Sequence, residues 1–144
     1  YNDLRKKQMV KKIQSSVDSV SNKDIAILGL SFKPETDDMR ESPSIDIING
    51  LLNLNAKIFA YDPEAMNEAK KIFSDKIYYL QNAQECISGK DILVVLTEWN
   101  EFRALSPLEI SKLMKGNIVI DLRNIFDSKS MFDAKLEYIP LGKK

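Results

Sequence analysis

Histidine is missing altogether from this 144-residue chain, and cysteine occurs once. Without histidine the commonest general base and the commonest metal ligand are gone, and no Ser-His or Cys-His pair can form. Asp, Glu and Lys remain as bases, but the balance favours a domain that binds over one that catalyses alone. A single cysteine forms no intrachain disulfide, which fits a reducing, cytoplasmic compartment. Glycine is scarce too: Gly29 is the only one before Gly50. The Gly-x-Gly-x-x-Gly run that wraps a dinucleotide pyrophosphate is therefore absent. Neither sign of charge prevails, with Lys+Arg and Asp+Glu both at 21. That disfavours broad nucleic-acid or anionic-membrane binding, which draws on a basic excess. No apolar run approaches the ~20 residues of a membrane span. The N-terminus is charged and polar, unlike a signal peptide.

What is present is an alternation of strands and helices. The first twenty residues read as a helix, with Val10, Ile13, Val17 and Val20 at helical spacing among Arg5, Lys6, Lys7, Lys11 and Lys12. Its uncapped start reads as a cut within or before a helix of a longer protein; a tag-trimmed N-terminal helix is the alternative. Ile25–Leu28 is an unbroken apolar strand, as in a parallel sheet buried on both faces. A polar loop, Ser31–Glu41, leads to Ser42 as N-cap and Pro43 in the first helical position. That helix lines up Ile45, Ile48, Leu51 and Leu52. Further strands are expected at Lys57–Tyr61, Ile77–Leu80, Ile92–Leu96 and Ile118–Ile120, with an edge strand at Leu136–Ile139. Helices are expected around Glu64–Phe73, Gln81–Ser88 and Pro107–Met114. The fold class is thus α/β: a doubly wound, mostly parallel, Rossmann-like sheet flanked by helices and preceded by an N-terminal helix. The boundary falls at residues 20–23, giving segments 1–22 and 23–144.

Open parallel sheets bind ligands at the carboxyl ends of their strands. Ser31 to Arg40, Thr97-Glu98-Trp99 and Asp121-Leu122-Arg123-Asn124 all follow strands and so fall at that edge. They would present Lys33, Arg40, Arg123 and the aromatic Trp99. The first loop also feeds a helix N-terminus, which favours anions. A ligand carrying phosphate fits, held by side chains. Each residue also has a plainer reading. Lys33 and Arg123 could be solvated charges. Arg40 could belong to an ion-pair cluster with Asp37, Asp38 and Glu41. Trp99 could cap the core, and Asp62-Pro63 is first a turn signal. Cys86 reads as a buried structural thiol.

The run GLSFKPETDDMRESPSIDII, Gly29 to Ile48, resembles the signature of the C-terminal domain of the UDP-glucose/GDP-mannose dehydrogenase family. Tyr61-Asp62-Pro63, Thr97-Glu98-Trp99 and Asp121-Leu122-Arg123-Asn124 follow in that family's order. The resemblance implies the UDP-binding half of an enzyme that oxidises the C6 alcohol of a UDP-hexose to an acid, reducing NAD twice. It implies a catalytic cysteine and an N-terminal NAD-binding domain upstream of Tyr1, a central helix joining the halves, and a homodimer or larger assembly. Carried over by position, Phe32, Lys33 and Arg123 would contact the UDP-sugar, Trp99 would form the pocket wall with Thr97 and Glu98, and Arg40 would reach NAD across the cleft. No catalytic residue and no metal ligand is expected in this chain. The family's usual glycine between Asp121 and Arg123 is Leu122 here, which puts the local backbone in question. The UDP-glucose branch fits the motifs best. UDP-N-acetylmannosamine or GDP-mannose dehydrogenases, a free-standing nucleotide-binding module and a receiver-like domain are the competing readings. Gly29 and Lys33 stand where a receiver would place acids.

Overall fold

The chain is described here from a computed structural model covering residues 2–15, 19–40 and 42–141. Val17 and Glu41, named above, lie outside the described residues, as do the side chains of Arg5, Lys6 and Lys7. Strand and helix alternate in order: α1 (Asn2–Ser15), β1 (Asp24–Leu28), α2 (Pro43–Asn53), β2 (Lys57–Tyr61), α3 (Met66–Phe73), β3 (Tyr78–Tyr79), α4 (Ala83–Ile87), β4 (Ile92–Val95), α5 (Asn100–Arg103), α6 (Pro107–Leu113), β5 (Ile118–Asp121), α7 (Ser128–Asp133) and β6 (Glu137–Pro140). The first helix is described to Ser15, short of the twenty residues its apolar spacing suggests. Two helices lack an obvious sequence signal. The α5 helix is only 4 residues long, and α7 is announced chiefly by its cap, Asp127, whose carboxylate accepts the Ser130 N–H at 2.9 Å.

The strands form one 6-stranded sheet in the order β3-β2-β1-β4-β5-β6. Every neighbouring pair is parallel. This is the doubly wound arrangement, with its switch of direction between β1 and β4. Side chains of successive strand residues alternate between faces, so each buried strand feeds two layers. Ile25, Ile27, Ile58, Ala60, Ile92, Val94 and Ile120 pack with Met9 and Ile13 of α1, Ile47, Ile48 and Leu51 of α2, and Phe73 of α3. Ala26, Leu28, Leu93, Val95 and Val119 pack on the other face with Cys86, Ile87, Phe102, Ile110 and Met131. Each fully buried Ile, Leu or Phe contributes about 1.5–3 kcal/mol to folding.

The buried face of α2 is rotated slightly from the one its spacing suggests. Ile47 and Ile48 are fully enclosed, while Ile45 and Leu52 sit at the margin. The first helix, α1, packs against α2. A Cβ on Gly50 would stand 3.1 Å from a Val10 methyl, so the two helices are in close contact there.

Candidate functional site

Parallel pairing places the loops after β1, β4 and β5 side by side at the carboxyl edge, since β1 neighbours β4 and β4 neighbours β5. All three expected segments are therefore brought to one edge of the sheet. Hydrogen bonds then lock them. Thr97, fully buried, donates its hydroxyl to the Ser31 carbonyl at 2.8 Å. That contact depends on Gly29, whose φ is +99°. A Cβ there would lie 2.5 Å from the Thr97 Cβ, so only glycine lets the two loops meet.

Asp62, at the end of β2, does more than mark a turn. It is 1% exposed. Its Oδ2 accepts the N–H groups of Leu30 at 2.7 Å and Ser31 at 3.0 Å and the Ser31 hydroxyl at 3.1 Å. Its Oδ1 accepts the N–H groups of Glu64 and Ala65, each at 2.9 Å. In a dinucleotide-binding fold, N–H groups just past the first strand face the pyrophosphate. Here a carboxylate from the chain itself occupies them. Together with the missing glycines, this means that the chain's own switch point does not fit a dinucleotide.

The loop after β1 is shaped by local bonds. The Phe32 N–H reaches the Asp38 carbonyl at 2.7 Å, and Glu35 takes a φ of +67°. The Ser31 hydroxyl, whose single proton is shared with Asp62, also lies 2.9 Å from the Lys33 carbonyl. Ser42 and Ser44 both donate to the Leu30 carbonyl, at 2.9 and 2.7 Å. Phe32 and Lys33 are left exposed at the rim. Arg40 is also exposed, but its guanidinium holds both carboxylate oxygens of Asp38, each at 3.1 Å. That contact with Arg40 draws the Asp38 carboxyl below its usual range. Arg40 lines a groove together with Asp37, Asp38, Glu68, Met39 and Ile72, so three carboxylates face one already paired cation there. Its carboxylates make it a poor seat for phosphate.

Arg123 is held by Glu98. Its Nε donates to one carboxylate oxygen and its Nη2 to the other, each at 2.9 Å. Both side chains are about two-thirds covered, with 30% and 28% exposed. Burial pushes the Glu98 carboxyl up, but the bonds from Arg123, a backbone N–H and the charges of Arg123 and Arg103 outweigh it, leaving it below its usual range. The Arg123 backbone is fixed by Asp121, fully buried, whose carboxylate accepts the N–H groups of Arg123, Ile125 and Phe126 and the Tyr138 hydroxyl. Burial first, then that bond and the nearby Asp121 charge, push the Tyr138 phenol up. Leu122 resolves the question raised by the absent glycine. It is buried at 3% in the core, its N–H bonds to Val95, and the positive φ of this turn, +56°, falls on Asn124 instead.

The expected site residues therefore separate. Lys33 and Phe32 face outward, Arg123 is paired and half-sheltered, and Arg40 is paired and open. Trp99 is 6% exposed and belongs to the second core layer, the alternative its sequence left open. Its indole N–H has no hydrogen-bond partner among the described residues. Sequence reasoning named Asp62 as a turn signal and Asp121 within its edge motif but gave neither a role as acceptor of backbone N–H groups, because that role depends on loops folded around them. Tyr61, named only as part of its strand and motif, is another residue given no role from the sequence. Its hydroxyl donates to Glu101 at 3.1 Å, and burial first, then the Glu101 charge, push the phenol up to about 12.

The family model for the UDP-glucose/GDP-mannose dehydrogenase family, UDP binding domain, matches residues 26–128. The chain belongs to this family. A UDP-glucose 6-dehydrogenase of Rickettsia typhi is 42% identical over 99% of the chain, which covers 33% of that relative. One from Rhizobium meliloti is 37% identical over 99% of the chain, covering 32% of the relative. The chain thus spans about a third of the length of the curated relatives it matches. Among solved structures, an NDP-N-acetyl-D-galactosaminuronic acid dehydrogenase from Methanosarcina mazei superposes with a TM-score of 0.86 at 22% identity, over 99% of this chain and 30% of that one. A UDP-glucose dehydrogenase from Pyrobaculum islandicum gives 0.75 at 24% identity, over 97% and 29%. At those identities the structural matches support the fold. No helix among the described residues is long and apolar enough to cross a membrane.

Proposed function

We propose that this chain is the UDP-sugar-binding part of a UDP-glucose 6-dehydrogenase, with residues 23–144 as the binding domain and residues 1–22 as the end of a helix running back to an N-terminal NAD-binding domain of the same polypeptide. The reaction is oxidation of UDP-glucose to UDP-glucuronate with reduction of two NAD, in the cytoplasm and in a homodimer or larger assembly. The observation that carries this reading is the gathering of the Lys33 loop and the Glu98–Arg123 pair at the carboxyl ends of adjacent parallel strands. The curated relatives from Rickettsia typhi and Rhizobium meliloti, 42% and 37% identical over 99% of the chain, are UDP-glucose 6-dehydrogenases, which favours glucose over N-acetylmannosamine or GDP-mannose.

In this reading Phe32, Lys33 and Arg123 face the nucleotide sugar, and Trp99 stiffens the wall behind them. Arg40, at the outer end of its loop, faces NAD held elsewhere. That division suits a switch point filled by Asp62. Cys86 is not a nucleophile. It is fully buried, and burial pushes its thiol up to about 12. Titrating UDP into the chain while recording amide chemical shifts tests the site. Residues 31–40, 97–99 and 121–124 should respond. A response confined to the opposite edge of the sheet overturns the assignment.

A further inference from the structure

The three cations at this edge are not equivalent. Arg40 is already paired with Asp38, and Arg123 with Glu98. Lys33 is exposed and has no ion-pair partner among the described residues. A phosphate seeks a cation whose charge is not already neutralised, and a carboxylate beside the guanidinium repels an incoming anion. The Glu98 oxygen lies 2.7 Å from Arg123 Nη2, so the pair itself carries little net charge, although the field of the exposed Arg103 also reaches Glu98. Of the three cations expected from the sequence, Lys33 is the one left free to meet the diphosphate charge.

The pair is suited to a different chemistry. Glu98 grips the Nε–Nη2 side of the guanidinium. Nη1 has no partner among the described residues, so donors remain on the far side. The carboxylate oxygens keep lone pairs beyond those Arg123 uses. Donors and acceptors stand together on a rigid, half-sheltered, charge-balanced fork. A sugar hydroxyl is both donor and acceptor and carries no charge, so it matches such a fork as a phosphate does not. The fork is held from both ends. The buried Asp121 fixes the Arg123 backbone at 3.1 Å, and Glu98 is flanked by the buried Thr97 and Trp99.

Building on the reading of the chain as a UDP-sugar domain, we propose that Glu98 and Arg123 act as one unit that binds hydroxyl groups of the hexose, while Lys33 takes the diphosphate. Glu98 thereby becomes a specificity-determining residue for the sugar ring.

The test uses the intact dehydrogenase that carries this chain, comparing KM for UDP-glucose with the inhibition constant of UDP, which has the diphosphate but no hexose. Glu98→Gln is expected to raise KM for UDP-glucose about tenfold while UDP inhibition stays within about twofold. Glu98→Asp should recover part of the loss. Lys33→Ala should weaken both ligands together. Equal weakening of UDP and UDP-glucose by Glu98→Gln would make Glu98 a scaffold residue and overturn the proposal. So would tighter UDP-glucose binding, the sign of an arginine released to a phosphate. If the unaltered enzyme neither turns over UDP-glucose nor is inhibited by UDP, the underlying functional reading falls, and this proposal with it.

Discussion

Asp62 closes one carboxylate oxygen on both the backbone N–H and the hydroxyl of Ser31, at 3.0 and 3.1 Å, so the end of β2 is sewn to the loop leaving β1. Asp62→Asn offers those donors one oxygen and confronts the rest with an amide. Leaving buried N–H groups without an acceptor should cost about 2–4 kcal/mol. Urea unfolding followed by circular dichroism measures this, and a midpoint unchanged from the parent chain would show that the carboxylate is dispensable.

Gly29→Ala meets two penalties at once. A non-glycine residue at φ +99° is strained, and its Cβ would stand 2.5 Å from that of Thr97. A loss of about 2–4 kcal/mol is expected, together with weaker UDP binding as the two loops part. Thermal unfolding and a UDP titration read the two effects separately.

Lys33→Ala should weaken UDP binding by about 1.5–3 kcal/mol if one charge-assisted hydrogen bond is lost. Arg40→Ala should leave it nearly unchanged, because Arg40 is engaged by Asp38 and assigned to the cofactor side. Titration of the two variants with UDP distinguishes them. The opposite ranking would exchange their roles.

The Glu98–Arg123 pair gives a pH signature. The Glu98 carboxyl lies below its ordinary value of 4.5 when folded. A depressed folded value means stability that is fully present above the unfolded value and lost as pH falls through the folded one. The stability difference between the parent chain and Glu98→Gln should therefore be constant above about pH 5.5 and shrink below about pH 4.5. Denaturant midpoints measured from pH 3 to 7 supply the curve. A difference that grows on acidification would contradict the pairing.

Cys86 should be inert in the folded chain. Its thiol is buried and pushed up to about 12, and it donates to the Phe59 carbonyl at 3.2 Å. A maleimide or disulfide reagent at pH 8 should label it only after unfolding. Rapid labelling of the native chain would show that α4 opens.

The architecture was legible in the sequence. Unbroken apolar strands alternating with amphipathic helices leave a doubly wound parallel sheet as the economical way to bury both faces. The position of each motif just after a strand then fixes the edge on which it must lie. The sequence did not determine how the charges at that edge are shared. Glu98 and Arg123 are far apart along the chain and meet because Val95 pairs with Asp121 across β4 and β5, which brings the residues just beyond each strand level with one another. Asp62 serves as an acceptor for the first loop because β1 and β2 end side by side, with Leu28 opposite Tyr61. Trp99 turns into the core, where it joins the second layer together with Phe102 and Met131. Periodicity is a local property, set by backbone geometry over a few residues. The choice of a charged partner depends on which loops the strand register sets opposite one another, and that is decided only when the sheet has formed.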